Sequence, residues 1–129
     1  MNHEELLRHL RGIQYIVINI TEGSRFSLSK KAIDLYLELA GIKYTLEPQL
    51  DRDTQNKLGS KIIVNDKQWD VHYIDRDDPA LVNVIRRLGI ESYGNDSELK
   101  IIEVPANVQW YIDEYDGREW VAEKHRIWD

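Results

Sequence analysis

Apolar positions recur along the chain with two different periods, and the changes of period divide it into elements. Residues 3–11 place Leu6, Leu7 and Leu10 on one side and Glu4, Glu5, Arg8 and Arg11 on the other. That is a short amphipathic helix, with Gly12 as its stop. Ile13–Ile20 is β-branched and almost continuously apolar, which predicts a central strand covered on both faces. Thr21–Arg25 reads as a loop. Leu28, Ala32, Leu35, Tyr36 and Leu39 then recur at helical spacing and predict a helix over Leu28–Ala40. Ser27 or Ser29 can cap its start, and Gly41 suits a left-handed residue at its end.

The second half is richer in strands. Lys43–Leu46 reads as a short strand, and the polar run Glu47–Ser60, with Pro48 and Gly59, as a long loop. Lys61–Val64 and Trp69–Ile74 form a hairpin around Asn65–Asp66. Asp77 or Asp78 caps a second helix that carries Pro79 in its first turn and a stripe of Leu81, Val84, Ile85 and Leu88. Glu91–Ser97 is a turn region, and Leu99–Val104 is a strand ended by Pro105. Val108–Tyr115 and Arg118–Trp128 flank Asp116–Gly117, a dipeptide that favours a type I′ turn between paired strands. The order predicts an α+β fold: a single, mostly antiparallel sheet with two main helices on one face and a short N-terminal helix. Residues 1–12 are expected to be a helical extension of one α+β domain over 13–129.

Length and composition narrow the function. At 129 residues and 15.2 kDa the chain has the size of one domain. A net charge of −6 argues against nucleic acid as a partner, since a polyanion is held by a basic surface. The absence of cysteine removes disulfides, thiol nucleophiles and Cys-based zinc sites. No apolar run is long enough for a transmembrane helix, and MNHEELLRHLRG lacks the apolar core of a secretory signal. The expectation is a cytoplasmic protein with no membrane partner. No serine-hydrolase elbow, phosphate loop or paired-histidine zinc motif occurs, so no cofactor is expected.

Two constellations on the last hairpin are candidates for chemistry. A two-residue Asp116–Gly117 turn pairs Tyr115 with Arg118, Glu114 with Glu119, Ile112 with Val121 and Trp110 with Glu123. Side chains alternate across a strand, so Glu114, Glu119, Glu123 and His125 share one face. Facing glutamates repel unless a cation or proton lies between them, so this group could hold a hard divalent metal or act as acid and base. The plainer alternative is a solvated outer face. The opposite face carries Tyr111, Tyr115, Arg118, Trp120, Lys124 and Arg126. Tyr115, Arg118, Trp120, Arg126 and Trp128 form a candidate ligand platform, with rings to stack on a flat group and cations for a phosphate. The alternative is that these rings are core and the basic groups lie at its edge. The pattern leaves open which face of the hairpin is buried.

FSLSKKAIDLYLELAGI, IDRDDPALVNVIRRLG and LKIIEVPANVQWYIDEYDGREWVAEKHRIW resemble a family of small uncharacterised proteins of bacteria and their phages. The likeness rests on Phe26, Leu28 and Ser29 at the first helix, and on Arg76, Asp78, Pro79, Leu81 and Val82 at the second. It rests also on the ending Glu114-Tyr-Asp-Gly-x-Glu-Trp-Val-x-Glu-Lys-His-Arg-x-Trp128. It covers roughly residues 16–40 and 73–128. Relatives often carry a Gly-Gly turn where this chain has Gly23, Ser24 and Arg25. The resemblance implies a non-enzymatic accessory protein that acts by binding a host protein or a nucleotide-like signalling molecule, in an anti-defence role. The alternative is a small metal-dependent or acid–base enzyme using the Glu/His cluster. Acidic mimicry of nucleic acid, presented by Glu103, Asp113, Glu114, Asp116, Glu119 and Glu123, is a weaker reading. Exposed strand edges and the apolar stripe at the N-terminus make a homodimer the expected assembly.

Overall fold

The computed structural model describes residues 2–3, 12–50 and 57–124. Its elements are β1 (Ile13–Asn19), α1 (Lys30–Leu39), β2 (Thr45–Leu50), β3 (Lys57–Val64), β4 (Lys67–Trp69), α2 (Pro79–Leu88), β5 (Leu99–Pro105), β6 (Trp110–Tyr115) and β7 (Arg118–Glu123). The fold is α+β with antiparallel strands, as the pattern predicts. The helix expected over residues 3–11 lies outside the described residues, except for residue 3.

The strands do not join into the expected single sheet. They form three separate ones among the described residues: β1–β5, β2–β3–β4 and β6–β7. β1 and β5 pair with Val17 opposite Ile101. Odd-numbered side chains of this ribbon point one way. Val17 and Leu99 join Leu28, Ala32, Tyr36, Leu37, Leu81, Val82, Val84 and Ile85 in the main core, beneath the two helices. Even-numbered side chains point the other way. Ile16, Ile18 and Val104 form a second core that Trp110, Ile112 and Val121 of the β6–β7 hairpin cover. A period of two therefore splits one apolar run between two cores, and β1 is covered on both faces.

The helix ends follow their capping chemistry. The Ser29 hydroxyl accepts from the Ala32 amide at 3.1 Å, and Gly41 takes the left-handed conformation at φ +67°. Asp78 caps α2 by accepting from the Ala80 amide at 2.9 Å, with Pro79 in the first turn. The same carboxylate accepts from the Tyr36 hydroxyl at 2.7 Å, which ties α1 to the start of α2. Trp69 stacks on the Tyr36 ring with centroids 6.0 Å apart.

The middle of the chain departs from expectation twice. The short strand expected over Lys43–Leu46 is found from Thr45, opposite Ile63, but it runs on to Leu50, so the supposed loop Glu47–Ser60 contributes the rest of β2 and the start of β3. Its polar composition suits an edge strand with exposed residues, where Pro48 is tolerated. The strand expected over Trp69–Ile74 stops at Trp69. Asp70 accepts from the His72 amide and bends the chain into a 3₁₀ turn over Val71–Tyr73. That turn separates β4 from the other sheets. The Asn65–Asp66 turn forms as expected, both residues having positive φ.

Burial, then the hydrogen bond to Asp78, raises the Tyr36 hydroxyl pKa above its ordinary 10.0. The folded chain keeps a proton that the unfolded chain releases above pH ~10, so stability is present below that pH and falls as pH rises beyond it. Urea unfolding at pH ~9 and ~11 should give a steeper loss for the wild type than for Tyr36→Phe. Equal losses would contradict a buried, proton-donating Tyr36.

Candidate functional site

The β6–β7 hairpin has the register its turn dictates, with Tyr115 opposite Arg118, Glu114 opposite Glu119 and Trp110 opposite Glu123. Asp116 and Gly117 have φ values of +47° and +86°, as a type I′ turn requires. Glu114 accepts from the Gly117 amide at 2.9 Å.

The hairpin tip is seated in the loop that follows β1. The Gly23 amide donates to the Asp116 carbonyl at 2.6 Å. A Cβ at Gly117 would fall 1.5 Å from the Ser24 carbonyl oxygen, so only glycine allows the two backbones to approach this closely. Asn19, fully buried at the end of β1, donates to the Gly117 carbonyl at 2.9 Å and to the Thr21 carbonyl at 3.2 Å. Its amide oxygen accepts from the Thr21 and Glu98 amides. One side chain thus joins the β1 loop, the approach to β5 and the hairpin.

Glu119 fixes the hairpin's other contact. The Ile20 amide donates to the Glu98 carbonyl, so even-numbered residues of β1 face β5 and odd-numbered ones face outward. At Val17 and Asn19 that outward edge is met by Arg76 and Glu119. The Val17 amide donates to the Arg76 carbonyl at 2.8 Å, and the Arg76 guanidinium donates to the Val17 carbonyl at 3.2 Å. The Asn19 amide donates to Glu119 Oε1 at 2.8 Å. Arg76 and Glu119 meet in a two-pronged ion pair at 2.6 and 2.9 Å, with side chains only 20% and 12% exposed. The guanidinium lies 3.7 Å over the Phe26 ring.

The hairpin faces sort as follows. Trp110, Ile112 and Val121 pack on the second core, so the glutamate face is the inner one. Its glutamates do not gather. Glu119 is engaged with Arg76, Glu114 caps the turn, and Glu123 is exposed at the far end. Among the described residues no three of His, Cys, Asp and Glu form a metal-sized group. His125, the fourth candidate of that cluster, lies outside the described residues, as do Arg126 and Trp128 of the candidate platform.

The other three platform residues converge. Tyr115, Arg118 and Trp120 line a hollow of about 470 Å³ with Ile18, Ile20, Glu22, Lys100, Ile102 and Glu119. Its floor is the even-numbered face of the β1–β5 ribbon, and its far wall is the tip half of the hairpin. Glu119 reaches it already paired with Arg76. Tyr111, Tyr115 and Trp120 remain 42%, 71% and 42% exposed.

Two residues that hold this arrangement are not among the candidate site residues read from the sequence. Arg76 counts there only toward the family likeness, and the carboxylates around it in Asp75-Arg-Asp-Asp read as helix caps. Asn19 had a signal: it is an amide near the end of an otherwise apolar strand, and a polar side chain in such a run usually has fixed partners.

Comparison of the chain with family models, with curated proteins and with solved structures gives no match. Among the described residues no helix is long and apolar enough to cross a membrane.

Removing one partner of a partly buried pair leaves a charge without its counterpart, so Arg76→Ala should lower stability by ~2–4 kcal/mol. Arg76→Lys should recover only a small part, because it lacks both the two-pronged geometry and the ring stack. Glu123→Gln, an exposed change on the same hairpin face, should stay within about 0.5 kcal/mol. Urea denaturation measures all three. An Arg76→Ala variant as stable as the wild type would contradict the role given to the pair.

Proposed function

We propose that the protein acts by binding rather than catalysis, as a phage-type accessory protein of the bacterial cytoplasm that sequesters a nucleotide-like signalling molecule. The observation that carries this is the hollow, where two exposed aromatic rings and the guanidinium of Arg118, without an ion-pair partner among the described residues, lie beside an apolar floor. Trp120 and Tyr115 offer faces for a base, and base–aromatic stacking contributes about 1–3 kcal/mol per ring. Arg118 supplies a cation suited to phosphate. Arg76 neutralises Glu119, so the carboxylate at the hollow's base does not repel an anion. Arg126 and Trp128, beyond the described residues, complete the set of ligand-binding candidates.

A catalytic reading finds less support. Its central carboxylate, Glu119, would have to leave a two-pronged ion pair before it could bind a metal or move a proton. A second binding reading has an observation in its favour. Tyr111, Tyr115, Trp120 and Arg118 expose a strip of the residue types that dominate protein interfaces, which suits inhibition of a host protein.

Native mass spectrometry on the full chain purified from a bacterial host should reveal a bound nucleotide mass. A panel of nucleoside mono- and diphosphates and cyclic dinucleotides, titrated against tryptophan fluorescence, should then quench the signal. Trp120→Ala and Arg118→Ala should each weaken that binding about tenfold or more while unfolding as the wild type does. A clean apo mass with no response to the panel would overturn the nucleotide reading and leave the strip as a protein-binding surface.

A further inference from the structure

Two carboxylates, Glu22 and Glu119, and two cations, Lys100 and Arg118, line the hollow. Glu119 is taken up by Arg76 and by the Asn19 amide. The side chains of Glu22, Lys100 and Arg118 make no ion pair among the described residues. Glu22 continues the even-numbered series of Ile18 and Ile20 into the loop that receives the hairpin tip. Its backbone is held on both sides. The Thr21 amide and carbonyl engage the Asn19 side chain, and the Gly23 amide donates to the Asp116 carbonyl. Glu22 is thus an acceptor displayed on a fixed loop. Lys100 stands opposite Ile18, back from that loop on the ribbon.

We infer that Glu22 reads the base of the bound nucleotide and that the base is guanine. This rests on the nucleotide reading of the hollow given above. An ionised carboxylate only accepts hydrogen bonds, through two oxygens. The Watson–Crick edge of guanine presents two adjacent donors, a ring N–H and the exocyclic amino group, which meet those oxygens as a fork. Adenine and cytosine each present one amino donor beside a ring-nitrogen lone pair, and that lone pair would face a carboxylate oxygen. Uracil has a single N–H between two carbonyls. Of these bases, guanine alone uses both oxygens of Glu22 without repulsion. Lys100 and Arg118 are left for the phosphates, and Trp120 and Tyr115 for the faces of the ring.

Calorimetric titration of the full chain with guanosine, inosine and adenosine diphosphates tests the assignment. Inosine lacks the exocyclic amino group, so it removes one prong of the fork without any change to the protein. The wild type should bind the guanosine nucleotide about tenfold or more tighter than either of the others. Glu22→Gln replaces one acceptor by a donor. It should lose that preference, bind the adenosine nucleotide no more weakly than the wild type does, and unfold in urea as the wild type does. Equal wild-type affinity for the three nucleotides, or a guanosine preference that survives in Glu22→Gln, would overturn the role of Glu22 and leave nucleotide binding at the hollow standing. Absence of binding by all three would overturn both.

Discussion

Strand β1 is the axis of the molecule, yet it has one strand neighbour. A buried strand must place its second row of amides and carbonyls somewhere, because an unpaired buried backbone group costs as much as a lost hydrogen bond. Here the Arg76–Glu119 pair does part of that work. It accepts from and donates to the strand through a carbonyl, a guanidinium and a carboxylate. The pair is local chemistry with long reach. It joins the segment before α2 to a hairpin more than forty residues later in the chain, and it lies against Phe26, the residue immediately after the β1 loop.

That arrangement explains why the hairpin can be a separate sheet and still hold a defined position. Its inner face covers the second core with Trp110, Ile112 and Val121. Its tip is fixed by Asn19, Gly23 and the close approach of Gly117 to Ser24. With the inner face and tip held, the outer aromatics and Arg118 are left beside a hollow instead of collapsing into the core.

Much of this was legible in the pattern of residues. The near-continuous apolar run of β1, the Ser29 and Asp78 caps, the left-handed Gly41 and the Asp116–Gly117 turn are local signals with local causes, and each has the conformation its chemistry predicts. The hairpin register followed from the turn alone. The sheet count did not, because strand composition says that a strand needs partners and not that side chains will supply them. The continuation of β2 beyond Leu46 was hidden for a related reason: an exposed edge strand carries no apolar alternation to mark it. Within the site, the convergence of Tyr115, Arg118 and Trp120 was readable from alternation, whereas the engagement of Glu119 depended on Arg76, a residue remote in sequence.

The central claim is that Arg76 and Glu119, not a strand, meet the outer edge of β1 at Val17 and Asn19. Amide hydrogen exchange at Val17 and Asn19 tests it most directly. Both donate outside any strand ladder, to Arg76 and Glu119. The account predicts protection close to that of the most stable amides in the protein. Exchange at the rate of a frayed edge would contradict it.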